Sequence, residues 1–208
     1  MPVDEALYPV NLRLEGRRCL VVGGGSVAAT KVAGLLECGA GVHVVAPRID
    51  DALRTDDRVT TEVRSYRRGE VAGYRIAIAA TDDPAVNHAV YEDGEAHGVL
   101  VNSADDPANC AFTLPSRIRQ GDLLVTFATG GHSPALATWL RRRFTEEFGP
   151  EYQELIDILA SEREALRAGG RSTEGLDWQS ALDSGMLDLV RQHRIDEAKE
   201  LLRRCLSR

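Results

Sequence analysis

Four short runs of this sequence carry residue types that do chemistry. Gly23-Gly24-Gly25-Ser26-Val27-Ala28 follows the apolar run Cys19-Leu20-Val21-Val22. A buried strand entering a glycine turn and then a helix offers bare backbone N–H groups to a diphosphate. Glycine permits the tight turn and close ligand approach, and the helix N-terminus favours negative charge. Gly23-x-Gly25-x-x-Ala28 satisfies the G-x-G-x-x-G/A form, with a tight turn that binds nothing as the alternative. Ala79-Ala80-Thr81-Asp82-Asp83 places small residues at a strand end and polar ones beyond it. Thr81 and Asp82 are ligand candidates there, while Asp83 reads equally as a helix cap. Val101-Asn102-Ser103-Ala104-Asp105-Asp106-Pro107 follows another strand end. Two adjacent carboxylates can accept a proton, hold a metal or split into distinct pKa values, or they form an Asp-Pro turn. Thr129-Gly130-Gly131-His132-Ser133-Pro134 sets a glycine pair before a second helix start. It is either an anion-friendly N-terminus with a titratable His132 or a hinge and cap.

The usual companion of the glycine turn is an acid about 20 residues on, bonding the ribose hydroxyls. Here the second strand runs into Ala46-Pro47-Arg48, and Asp50 and Asp51 come later. Backbone groups at Pro47 and Arg48 are expected to hold the ribose. Arg48 also suits a 2′-phosphate, so chemistry alone leaves NAD and NADP both open.

These runs need a frame. Short apolar strands over 18–22, 42–45, 59–63, 76–80 and 99–101 alternate with helices opening near Ser26 and Asp83-Pro84. Compact strand–helix–strand units imply a parallel sheet with right-handed crossovers. In the first helix Val27, Leu35 and Leu36 are expected to face the sheet. Beyond Asn102 the pattern changes. Residues 111–114 and 123–127 read as strands joined through 117–122, with Gly121-Asp122 as a turn signal. Ser133-Pro134 opens a helix that runs to about Phe148, with serine as N-cap and proline in the first turn. An amphipathic helix spans 151–167, with Tyr152, Leu155, Ile156, Leu159 and Leu166 on one face. Two or three short helices follow from Leu176.

Bulk properties narrow the function. The chain has 208 residues, 43% of them hydrophobic, and a net charge of −7. That charge argues against general nucleic-acid binding but leaves room for a local basic pocket. The clusters Arg64/Arg67/Arg68 and Arg141–Arg143 read first as solvated faces. No stretch approaches the ~20 apolar residues of a membrane span, and residues 1–5 lack the start of a signal peptide, so a cytoplasmic location is expected. Cys19, Cys38, Cys110 and Cys205 show no metal-binding spacing, which suits a reduced protein without a structural metal.

Taken in order, Tyr8-Pro9-Val10-Asn11-Leu12, VVGGGSVAATKVAGLLECGA (21–40), VVAP (44–47), AATDDPAVN (79–87), VNSADDPANCAFTLPS (101–116) and TGGHSPALATWLRRRF (129–144) resemble the precorrin-2 dehydrogenase/sirohydrochlorin ferrochelatase family, the first module of siroheme synthase. The resemblance covers about residues 8–165. It implies an α/β fold: a Rossmann-like NAD domain (1–110), a small dimerisation and substrate region (111–148) and a helical C-terminal domain (149–208). It implies NAD-dependent oxidation of precorrin-2 to sirohydrochlorin in a homodimer. In bifunctional members the same site also inserts iron. Iron or cobalt would then be a passing substrate, because no His/Cys cluster stands ready to keep a metal. The family's essential aspartate falls on Asp105. Its dinucleotide contacts fall on Gly23, Gly24, Gly25, Ser26, Val27, Pro47 and Arg48, with Thr81 and Asp82 added from their place at the sheet edge. A substrate with eight carboxylates needs a basic wall, for which Arg117, Arg119, Arg141 and Arg142 are candidates. Asn102, Thr129, Gly130, His132 and Ser133 are the remaining expected substrate contacts. Thr129 stands where some bacterial members carry a serine that can be phosphorylated. No methyltransferase module follows, so the trifunctional enzyme is not expected. Two competing readings stay in view: a dinucleotide-binding sensor without turnover, and a chelatase with little dehydrogenase activity.

Overall fold

The computed structural model describes residues 6–104 and 106–207. Its centre is a parallel sheet of β1 (Arg18–Val22), β2 (Gly41–Ala46), β3 (Val59–Val63), β4 (Ile76–Ala79) and β5 (Leu100–Ser103), in the order β3-β2-β1-β4-β5. The period-two alternation of β1 sends Cys19 and Val21 to one face and Leu20 and Val22 to the other. The first face packs under α1 (Ser26–Leu36) and the second under α3 (Pro84–His97). With both faces covered, β1 and β4 are buried almost throughout, as parallel strands are.

The sheet-facing stripe of α1 is Ala28, Val32 and Leu35, at i, i+4 and i+7. Val27 was expected to face the sheet but is 45% exposed, because it lies one residue before that stripe. A short α2 (Asp51–Arg54) follows β2, and α3 ends at a left-handed Gly98.

The chain divides into two compact units. One runs to Leu114 and takes in Gly130–His132; the other holds Pro115–Thr129 and the chain from Ser133 on. The second unit contains a hairpin of β6 (Ser116–Gln120) and β7 (Leu123–Phe127), then α4 (Pro134–Thr145), α5 (Glu151–Ala168), α6 (Trp178–Asp183), α7 (Met186–Arg191) and α8 (Ile195–Leu206). Residues 111–114 form no strand. The partner of β7 is β6, all of which but Ser116 lies within the segment expected to connect the strands. Only Ile118 of β6 is buried while Arg117 and Arg119 are exposed, so apolar counting read the strand as a loop. Gly121, at φ +56°, takes the first of the two turn positions, where a type II′ hairpin calls for glycine.

Stacked rings join the hairpin to its helices: Phe127 on Phe144 at 5.9 Å, Phe144 near Phe148, and Phe148 edge-on to Tyr152. The core of this unit lies between α5 and α8, around Leu155, Ile158, Met186, Val190, Ala198 and Leu202. Among the described residues no helix is long and apolar enough to cross a membrane.

Candidate functional site

Register brings the sequence motifs of the first unit to one edge. Val22 pairs with Val45 and with Ala79, and Ala79 pairs with Ser103. The carboxyl ends of β1, β2, β4 and β5 therefore lie together, where ligands bind in open α/β sheets. The glycine turn, Pro47-Arg48 and Thr81-Asp82 follow the strand ends at that edge, while Asn102 lies within β5 next to it.

The three glycines do different work. A Cβ on Gly23 would stand 2.1 Å from the Ala80 carbonyl oxygen, and its φ is +129°. A Cβ on Gly24 would stand 2.1 Å from the Arg48 carbonyl oxygen and 2.8 Å from Ile49 Cα. Both are glycine because neighbouring backbone lies against them. Gly25 is the one open to a ligand: nothing lies within 4 Å of its Cβ position. Gly25 is also the N-cap of α1, with no side-chain cap and no acid in the first turn. The first intrahelical bond there runs from Ala29 N–H to Gly25 O, so the earlier N–H groups face outward past Gly25. Ser26 and Val27 are exposed beside them. An open glycine at an uncapped helix start fits the diphosphate of a dinucleotide.

Next to the turn, Pro47 and Arg48 are exposed and Ile49 is buried. Asp50 N–H donates to Gly24 O at 2.8 Å, which fixes this backbone across the turn. Thr81 is held by Asn87. Its N–H and hydroxyl donate to Asn87 Oδ1 at 3.2 and 2.8 Å, and Asn87 Nδ2 donates back to Thr81 O at 3.0 Å. Asn87 was missed by sequence reading. Its signal was a lone amide on the buried stripe of α3, together with Val90. Asp83 is the cap of α3, accepting from Ala85 N–H at 2.9 Å, and Asp82 remains exposed.

Asp105, the expected proton acceptor, lies outside the described residues. Its neighbours are firmly held. Ala104 N–H donates to Ala79 O at 2.8 Å. The Cys110 thiol contacts Ser103 N–H and O, each at 3.2 Å, and the Asp106 carbonyl at 3.3 Å. Burial pushes this thiol up from its ordinary pKa, which keeps it a neutral donor. Asn102 is buried and donates from Nδ2 to Phe112 O at 2.9 Å. Its amide thus positions the segment after β5. Asp106 accepts from Asn109 Nδ2 at 2.6 Å, and Asn109 Oδ1 bonds His88 Nδ1 at 2.8 Å. Cys110, Asn109 and His88 were not singled out in the sequence, because a side chain that organises a loop leaves no periodic trace.

The second glycine turn is closed. Ser133 Oγ accepts from Leu136 N–H at 3.2 Å, and Thr129 Oγ1 accepts from Ser133 N–H at 3.1 Å. Both hydroxyls are taken by the start of α4, while His132 is exposed and Gly130 half-buried. Arg117, Arg119, Arg141 and Arg142 belong to the second unit and are exposed. Among the described residues no carboxylate pairs with Arg141 or Arg142. Arg64 and Arg68, by contrast, are neutralised by Glu62, Glu70, Glu92 and Asp93. A cleft of about 1080 Å³ opens in the second unit between α5 and α6, but it holds none of the residues expected to carry chemistry. Among the described residues no group of His, Cys, Asp and Glu side chains could hold a metal.

Comparison with known proteins identifies the family to which this unit belongs. Residues 10–116 match the model of a family described as "Putative NAD(P)-binding". Siroheme synthase of Nitrosococcus oceani is 35% identical over 204 residues, covering 96% of this chain and 44% of that protein. Siroheme synthase of Chromobacterium violaceum is 36% identical over 189 residues, covering 88% of this chain and 40% of that protein. The chain thus spans less than half the length of these curated relatives. Among solved structures, SirC, a precorrin-2 dehydrogenase, superposes with a TM-score of 0.69 at 23% identity. That match covers 97% of this chain and all of that one, and it shows the same fold. The resemblance read from the motifs is borne out at the level of the family. With its open glycine at an uncapped helix start, and its match over residues 10–116, this chain belongs to the NAD(P)-binding family and takes a nicotinamide dinucleotide as cofactor.

Proposed function

We propose that this protein is an NAD-dependent dehydrogenase of siroheme biosynthesis that oxidises precorrin-2 to sirohydrochlorin. The observation that carries the reading is the open cradle at Gly25 and the Asn102–Cys110 segment at the same sheet edge, in a chain similar along its length to siroheme synthases. The nicotinamide supplies the hydride acceptor when bound. The N–H groups after Gly25 hold the diphosphate, and Pro47-Arg48 border the ribose. Removing a hydride leaves a proton to be taken, and Asp105 is the residue we assign to take it. Asp106, already accepting from Asn109, is the weaker candidate. Arg117, Arg119, Arg141 and Arg142, with His132, are assigned to the substrate carboxylates, since guanidinium groups bind carboxylates in fork geometry.

Ferrochelation is the finer proposal: Fe²⁺ or Co²⁺ enters as substrate, with Asp105 again taking protons as the macrocycle is metallated. A homodimer is proposed on α4, where Leu136 and Trp139 are 47% and 55% exposed, more than a packed helix face leaves to water.

Anaerobic incubation of the purified chain with precorrin-2 and NAD, followed by absorbance, tests the reading. Sirohydrochlorin and NADH are expected in equal amounts, and Asp105→Ala is expected to abolish both. Dinucleotide binding without turnover by the wild-type chain would instead make it a sensor. Adding Fe²⁺ or Co²⁺ to preformed sirohydrochlorin tests chelation separately, and light scattering over a range of concentrations tests the dimer.

A further inference from the structure

We infer that the cleft between α5 and α6 is a binding site for a small carboxylate with a flat apolar body, held by Arg163 and Arg167. The inference concerns the second unit alone and does not rest on the proposed reaction. α5 carries more apolar surface than its core uses. Leu155, Ile158 and Leu166 are buried in that core, whereas Ile156 and Leu159, on the neighbouring stripe, are only half-buried. Continuing that stripe in helical steps of four leads to Arg163 and then to Arg167. These four residues line the cleft from one side. Trp178 and Leu182, one turn apart on α6 and also half-buried, line it from the other. Its volume is about 1080 Å³. Sites for small organic ligands are of that order, roughly 300–1,000 Å³.

The apolar wall is held in place. Trp178 Nε1–H donates to the Thr173 carbonyl oxygen at 3.3 Å, and the helix that carries it is capped by Asp177 Oδ1 on Ser180 N–H at 2.9 Å. With its one donor spent, the indole offers the cleft only apolar and π surface.

The charge in the cleft is unmatched. Among the described residues no carboxylate pairs with Arg163 or Arg167, and Glu164, the one acid lining the cleft, has no ion pair either. The carbonyls at the end of α5 are already occupied: those of Ala165, Leu166 and Arg167 accept from the N–H groups of Gly169, Arg171 and Gly170. Elsewhere in the same unit Arg191, Arg194 and Arg203 are matched by Glu151, Glu197 and Glu162. Two like charges four residues apart on a helix repel each other. A carboxylate between them relieves that repulsion and bonds the guanidinium groups in fork geometry. An apolar floor with two unmatched cations at its rim therefore selects an anion whose body is hydrophobic. A sugar phosphate would leave the floor uncovered, and a neutral hydrocarbon would leave the arginines unmatched.

The probe is 2-naphthoate, with uncharged 2-naphthamide as its control. Each is titrated into the full chain carrying Trp139→Phe, in which Trp178 is the one tryptophan left. Naphthoate is expected to quench Trp178 emission saturably. Naphthamide is expected to bind about tenfold or more weaker, since a hydrogen bond to a charged group is worth about that factor. Changing both Arg163→Gln and Arg167→Gln is expected to weaken naphthoate by about the same factor and leave naphthamide within about threefold. Ala160→Phe, which fills the cleft from an exposed position, is expected to abolish binding of both. Thermal melting matched to wild type confirms that these substitutions leave the fold intact. Saturating NAD⁺ is expected to leave the affinity for naphthoate unchanged. The absence of saturable quenching at millimolar naphthoate, equal affinity for the two probes, or full binding by the double arginine variant each overturn the inference. Displacement by NAD⁺ also overturns it, by placing the probe in the cofactor site. An affinity that falls as protein concentration rises gives the cleft to a second copy of this chain, and overturns it as well.

Discussion

The molecule has two glycine-rich turns that lead into helices, and they are built for opposite ends. At Gly23–Gly25 the helix start is left open: Gly25 caps α1 with no side chain, and nothing lies within 4 Å of its Cβ position. At Gly130-Gly131 the helix start is closed, with Ser133 Oγ on Leu136 N–H and Thr129 Oγ1 on Ser133 N–H. Sequence gives both the same promise, because each sets glycines before a helix whose first N–H groups need partners. The difference is who supplies the partner. In α4 the chain does so itself, and in α1 no side chain does. A glycine pair before a helix leaves its first N–H groups open only where no side chain caps them.

The largest expected effect tests the division of labour within the first turn. Gly24→Ala drives a Cβ into the Arg48 carbonyl and should cost about 3 kcal/mol, the upper end of what overpacking costs. Denaturant titration measures it, and a near-neutral result would show that Gly24 is there for the ligand after all. The polar support of the sheet edge comes next. Asn87→Ala strips Thr81 of its buried partner and should cost roughly 2–3 kcal/mol, again read from denaturant midpoints.

A smaller effect is expected where a charge is held away from the edge. Burial by itself would raise the Asp93 carboxyl, but the Gly69 N–H at 2.7 Å, the Tyr66 hydroxyl at 2.7 Å and Arg68 at 2.9 Å together hold it below the usual range. A depressed carboxyl contributes stability above its unfolded pKa and loses it as pH falls through the folded value. Asp93→Asn should therefore cost about 1–2 kcal/mol at neutral pH, with the gap to wild type closing below about pH 4. Stability curves at several pH values check the sign, and a gap that widens in acid would refute it.

The last pair exchanges the characters of the two turns. Ser133→Ala should cost about 1 kcal/mol of stability and leave dinucleotide affinity alone. Gly25→Ser gives α1 the cap that α4 has. It should change stability by only about a few tenths of a kcal/mol while weakening dinucleotide binding about tenfold, since the new hydroxyl occupies N–H groups the diphosphate needs. Calorimetry on both variants reads the contrast. Unchanged binding in Gly25→Ser would remove the physical basis for distinguishing the turns.

The sequence by itself determined the parallel sheet and the strand-to-helix position of Gly23–Gly25, because these follow from apolar runs and glycine sterics within a few residues, while it left Asp83 open between ligand and cap until the structure showed the cap. It also carried the family, through motifs whose order along the chain is specific. Tertiary structure decided the rest. Gly23 and Gly24 are needed for Ala80 and Arg48, segments brought there by strand pairing and not by sequence proximity. Val27 faces outward because α1 settles on Ala28, Val32 and Leu35. β6 is a strand because β7 lies beside it, although its own residues alternate charge with a single buried isoleucine. Asn87 and Cys110 become supports of the sheet edge only once their distant partners arrive. Local pattern is written in neighbouring residues and can be read there, whereas close backbone approach and buried polar pairing exist only after the chain has closed on itself.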